Sequence, residues 1–220
     1  MSGVDPKGRS YGLIEISDLQ RLLILAEQDR EAFFEAHPQW RKSYGGRVLA
    51  VALCQGAALH YLDGKTGIND FDVYTFYRAN PRKEWYAKRI KSYDLGDAKF
   101  GRSVDRPDFV GRRVDCLARG IAVRGDEEVR AALRRYLMEA RTETARLLSA
   151  KAVVLLEPHC GEIIWPAPSS SGEDYREGQS AGGIFTPCAS PGRASGSSSR
   201  HAPSMPAPNT RTKQVKVSNE

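Results

Sequence analysis

Within "GINDFDVYTF", residues 67–76, Asp70 and Asp72 stand two positions apart in a run whose other members suit a half-buried pleated surface. Carboxylates are poor strand formers and are almost never buried without a partner. Residues i and i+2 of a strand project to one face, so the two acids stand side by side, with Phe71 and Val73 turned the other way. Two like charges that close raise each other's pKa unless a cation sits with them. Hard oxygen donors in this pattern suit Mg²⁺ or Mn²⁺. Paired ions of that kind clamp the attacking and leaving oxygens of a phosphoryl displacement. The plainer alternative is a turn in which Asn69 and Asp70 open the strand and Asp72 is a lone exposed acid.

Two further stretches bear on the same chemistry. "RRVDCLA" sets Asp115 between Val114 and Cys116, an apolar setting for an acid. Asp105 and Asp108, in a loop containing Pro and Gly, are the alternatives for a third carboxylate. "LCQGAAL" runs an apolar strand straight into a helix through Gln55, Gly56 and Ala57. A glycine there lets a ligand approach the backbone, and the free N–H groups of a helix start favour anions. Lys88, with Arg89 and Lys91, has the charge to neutralise a triphosphate, a solvated cationic face being the ordinary alternative. His60 and the tryptophans Trp40, Trp85 and Trp165 read as packing residues.

The elements that must position these residues are legible from periodicity. Ser17-Asp18 is a candidate N-cap for a helix that runs to Ala36 with Leu19, Leu22, Leu23, Ala26, Phe33 and Phe34 on roughly one face. "HPQWRKSYGG" ends it, and "RVLAVALC", 47–54, reads as a strand covered on both faces. A short helix over "QGAALHYLDG" closes on Gly64, and 69–77 forms the second strand. A short helix is expected around Glu84–Arg89, and 109–123 has strand character. After Gly125 one long helix is expected, with Asp126, Glu127 and Glu128 in its first turn. "AVVLLEP" and "GEIIWP" form a closing hairpin. The fold class is therefore α/β (α+β), a mixed sheet flanked by helices over residues 1–165.

"QGAALHYLDGKTGINDFDV" followed by "RRVDCLA" resembles the core of the DNA polymerase beta-like nucleotidyltransferase superfamily over roughly Val48–Arg119. The run "QGAALHY…DFDVY" is also similar to that of small bacterial proteins. The resemblance implies a nucleotidyltransferase-like mixed sheet with two Mg²⁺ ions held by the acids and an NTP as substrate. Gly56 falls on the family's glycine, Asp70 and Asp72 on its metal-binding pair, and Asp115 on its third acid. Ala57 stands where the family usually has Ser or a second Gly, so a phosphate-contacting hydroxyl is missing. Such a bond is worth about 0.5–1.5 kcal/mol, and Gln55 is the neighbouring donor that could replace it. The expected activity is transfer of a nucleoside monophosphate to an RNA end, a protein side chain or a small molecule. The alternatives are a non-catalytic module binding nucleotide or nucleic acid, and a partner in a toxin–antitoxin type of pair.

Composition bounds these readings. The 220-residue chain carries a net charge of +6, and residues 78–124 hold 13 basic against six acidic side chains, a balance suited to phosphate-bearing partners. From residue 166 onward Ser, Gly and Pro dominate, and a disordered tail is expected. Cys54, Cys116, Cys160 and Cys188 form no CxxC pair, and the opening residues lack a signal-peptide core. No apolar run is long enough to span a bilayer, so the expected compartment is a reducing cytoplasm.

Overall fold

The computed structural model describes residues 3–85 and 90–166. The expected tail, Pro166 apart, and Lys88 lie outside the described residues.

Helix α1, Ile16–Ala36, buries Leu19, Leu22, Ala26, Phe33 and Phe34 of the face its periodicity marks out, with Asp29 beside them and Leu23 half-buried. It begins earlier than expected. Glu15, and not Ser17 or Asp18, is its N-cap, and Asp18 accepts a hydrogen bond from the Glu15 N–H at 2.7 Å. The segment expected to end α1 does so, and is itself helical: Pro38 sits in the first turn of α2, Pro38–Tyr44, where its missing N–H is no loss. Strand β1, Val48–Cys54, leads without a loop into α3, Gln55–Asp63, which ends on the left-handed Gly64 as expected. Strand β2, Phe71–Arg78, follows.

Strand β3, Ile90–Asp94, was not anticipated, because "IKSYD" has one aliphatic residue and its edge position asks for no more. The short helix expected around Glu84–Arg89 falls largely outside the described residues, and Glu84 and Trp85 within them are not helical. Strand β4 spans Arg113–Ile121. The single long helix expected after Gly125 is two, α4 (Val129–Glu139) and α5 (Glu143–Ser149). Ala140 turns left-handed between them, and Thr142 caps α5 by accepting from the Ala145 N–H at 3.0 Å. Asp126, Glu127 and Glu128 consequently precede α4 and do not fill its first turn. Strands β5, Val153–Glu157, and β6, Ile163–Trp165, form the expected antiparallel hairpin.

The six strands lie in the order β3-β4-β2-β1-β5-β6, and β2 with β4 is the parallel pair in an otherwise antiparallel sheet. One face packs Leu53, Phe71, Val73, Val114 and Val154 against α1 and α3. The opposite face packs Ala52, Cys54, Tyr74, Phe76 and Leu155 against Leu133 and Leu137 of α4 and Leu148 of α5. Trp40 and Trp85 are buried with Phe33, Tyr44 and Tyr77 in an aromatic cluster, which is a packing role. Among the described residues no helix is long and apolar enough to cross a membrane.

Candidate functional site

Register brings the sequence-distant acids together. Asp72 pairs with Cys54 of β1 on one side and with Asp115 of β4 on the other, and Asp115 pairs in turn with Ser92 of β3. Paired residues in adjacent strands share a face at about 5 Å, so the carboxyls of Asp72 and Asp115 are neighbours. Asp70 stands immediately before β2, which begins at Phe71. The row lies where β1 passes into α3, next to Gln55 and Gly56.

Charge is unevenly matched here. Arg113 reaches Asp70 Oδ2 at 2.6 Å and Asp115 Oδ2 at 3.2 Å, and it also bonds Asp105. Ser92 donates to Asp115 Oδ1 at 2.6 Å. Among the described residues Asp72 has no such partner, and its carboxyl is pushed up to about 7 from 3.8. Burial is the largest cause, followed by the charges of Asp70 and Asp115; Lys151 and Arg113 offset only part of this. Burial of its thiol, and after it the same carboxylate, hold Cys54 well above the usual range.

Lys151, in the turn before β5, places its Nζ 4.0 Å from where a Cβ on Gly56 would stand, and among the described residues nothing else beyond its chain neighbours and its own helix backbone comes within 4 Å of that point. Gly56 thus offers open space with a cation beside it. Gln55 adopts φ +60°, a left-handed conformation that costs an L-residue about 1–2 kcal/mol, and its N–H is taken by the Ala152 carbonyl at 3.0 Å. No side chain caps the start of α3. Ala57 is buried among core residues, which leaves its backbone N–H as what it can present to a ligand.

Arg112, fully buried, anchors the approach to the site. Its guanidinium donates to the carbonyls of Phe100 at 2.5 and 3.1 Å, Gly8 at 2.6 Å and Asn69 at 3.4 Å, the last directly preceding Asp70. His60, buried as expected, sets its ring nitrogens 2.6 Å from the Thr66 carbonyl and 2.9 Å from that of Gly12. Asp105 and Asp108, the alternatives for the third acid, are exposed and paired with Arg113 and Arg106. Lys151, Ser92, Arg112 and Arg113 are the site residues that sequence reasoning missed. In "GRRVDC" the paired arginines beside an apolar-flanked acid were the available signal.

Whether this set suits a divalent ion divides into donor type and spacing. Three carboxylates, one of them half-buried and short of positive charge, are the hard oxygen donors that Mg²⁺ or Mn²⁺ takes. Among the described residues, no three His, Cys, Asp or Glu side chains stand at a spacing that would hold an ion together. The Arg113 guanidinium lies between Asp70 and Asp115 instead. The donor type fits and the spacing does not, with Arg113 in contact with two of the three acids. Compared with known proteins, the chain matches no family model, no curated protein and no solved structure.

Proposed function

We propose that this chain is a metal-dependent, nucleotidyltransferase-like protein that passes a nucleoside monophosphate from an NTP to an acceptor hydroxyl. The supporting observation is the side-by-side placement of Asp72 and Asp115 on parallel strands, beside the Gly56 turn. In this reading Asp70, Asp72 and Asp115 hold Mg²⁺ or Mn²⁺, which supplies charge neutralisation to the phosphates. The Gly56 turn and Lys151 receive the β- and γ-phosphates. Asp115, oriented by Ser92, takes the acceptor's proton as its oxygen bonds the α-phosphorus and pyrophosphate leaves. Positioning and electrostatics carry most of the rate. The buried thiol of Cys54 is compatible with a reducing cytoplasm.

A second reading, a binding module without transfer, is favoured by Arg113, which already answers two of the three acids. The two readings separate on incubation with each α-labelled NTP, Mg²⁺ or Mn²⁺, and an extract of RNA and protein. Transfer predicts label in an acceptor with the wild type and none with Asp72→Asn or Asp115→Asn. Nucleotide binding that ignores metal, leaves no label and falls steeply with salt sustains the module instead.

A further inference from the structure

We infer that the end of the sheet opposite the acid row is a docking surface for the backbone of a nucleic acid, carried by Lys42, Arg47, Arg78, Arg82 and Lys83. It lies apart from the acids and stands whichever reading of them holds. Strand β2 runs from Phe71, beside the acid row, to Arg78, about 23 Å away along the strand. At that far end α2 and the turn after it are tied to the loop that follows β2. The Arg78 N–H donates to the Arg47 carbonyl at 2.7 Å, and Asn80 Nδ2 donates to the Ser43 carbonyl at 3.2 Å. The Tyr44 hydroxyl donates to the Lys83 carbonyl at 2.5 Å. Cations from two separate stretches of the sequence thereby meet on one surface.

Acids do not answer these five cations. Among the described residues they make no ion pair, whereas the neighbouring Arg41 is held by Glu31 at 3.0 Å. Arg47 reaches the Ala79 carbonyl at 3.5 Å, and the Lys83 ammonium lies 4.1 Å over the Trp40 ring centroid. Within residues 38–47 and 78–85 the one carboxylate is Glu84. The basic run 78–124 is thus divided by the fold. Arg106, Arg113 and Arg124 are bonded to carboxylates and Arg112 is buried among carbonyls, while Arg78, Arg82 and Lys83 join Lys42 and Arg47 unpaired.

Like charges gathered without counter-ions repel one another, and phosphates spaced along a chain relieve that repulsion at several points at once. Three of the five are arginines, whose planar fork matches phosphate oxygens. Trp40, Tyr44 and Trp85 beneath them are buried, so no aromatic face is offered to a base, and the contact is with backbone and indifferent to sequence. A lipid surface would be gripped by apolar side chains beside the cations. Among the described residues no exposed large hydrophobic side chain lies in 38–47 or 78–85, which favours the nucleic acid.

The test is binding of the full chain to a fluorescein-labelled, mixed-sequence RNA of about 20 nucleotides, followed by anisotropy as salt is raised. Log affinity against log salt should fall with a slope of roughly −2 to −3.5, as for about three to five phosphate contacts on a single strand. Arg78 and Arg82 are exposed, and Arg78→Gln and Arg82→Gln should each flatten the slope by roughly 0.7. Lys65→Gln, which removes the same charge from the exposed loop after α3, should leave the slope as it is. A slope unchanged in both arginine variants, or flattened equally by Lys65→Gln, overturns the surface and leaves the reading of the acid row untouched. A wild type that binds no RNA at low salt overturns it as well. Should that protein instead bind vesicles of phosphatidylcholine and phosphatidylserine, and lose them in the arginine variants, the partner is a membrane and the nucleic acid is excluded.

Discussion

Two arginine–carboxylate clusters in this chain are built from the same residue types and behave oppositely. Near α4, Glu127 accepts from Arg135 at 2.7 and 2.8 Å and from the Arg124 N–H at 3.0 Å. Glu139 is contacted by Arg124, Arg135 and Arg141, so three arginines serve two acids. At the sheet end, Arg113 serves Asp70, Asp105 and Asp115, with Asp72 beside them. The paired residues are similarly exposed, Glu127 and Arg135 at 16% and 18%, Asp115 and Arg113 at 13% and 22%. The burial of Asp72, first, and the balance of charge around it, second, separate the clusters. Glu127 is held down to about 2, with the Arg135 hydrogen bonds as the largest cause, whereas Asp72 is pushed up to about 7. A cluster with cations in excess holds its acids ionised; a cluster with acids in excess pushes up the carboxyl that is left without a cationic partner.

The sharpest way to break this contrast is Asp72→Asn. The Asp72 carboxyl titrates near 7 in the fold and near 3.8 in its unperturbed form, so the native state binds the extra proton between those values. Its contribution to stability is present at low pH and is lost as pH rises through 7. Removing the charge should therefore stabilise the protein at pH 8 by on the order of 2–4 kcal/mol and change little near pH 3. Urea unfolding at the two pH values measures this, and a variant no more stable than wild type at pH 8 would contradict the excess of acid.

Lys151→Met tests the cation on the ligand side. Losing one charged phosphate contact should weaken nucleotide binding roughly tenfold, by equilibrium dialysis. It should also raise the Asp72 titration further, because Lys151 is the foremost charge holding it down, as read by carboxyl NMR. An unchanged titration would remove Lys151 from the site.

The smallest effect belongs to the cluster near α4. Glu127, depressed from 4.5 to about 2, contributes stability above its ordinary pKa that is lost as pH falls through 2. Glu127→Gln should lower the melting temperature slightly at pH 7, and the difference from wild type should close as the pH approaches 2.

Local pattern carried a good deal of the fold. The apolar run of β1, the Gly64 stop of α3 and the closing hairpin are all short-range signals, and each element formed where its own residues called for it. Asp70 and Asp72 stood out for a related reason: an acid in a β-branched and aromatic run conflicts with its neighbours, and such conflicts mark sites. Failures came where a short polar motif overrode periodicity. The apolar stripe from Val129 to Leu148 reads as one helix, yet Thr142 can cap only a new start, so the chain turns at Ala140. Strand β3 is polar enough to hide, since it gains its place from pairing with β4 and not from burial.

The residue types alone determined that acids would sit on a strand beside a glycine-opened helix, because alternation along a strand and the needs of a helix start are properties of adjacent residues. Only the tertiary structure decided that Asp72 and Asp115 share one row, that Lys151 overlooks Gly56, and that Arg113 stands among the acids. Those contacts join residues about 40 to 95 positions apart through strand register and crossover, and strand alternation fixes which face a residue occupies without fixing which neighbour it meets there.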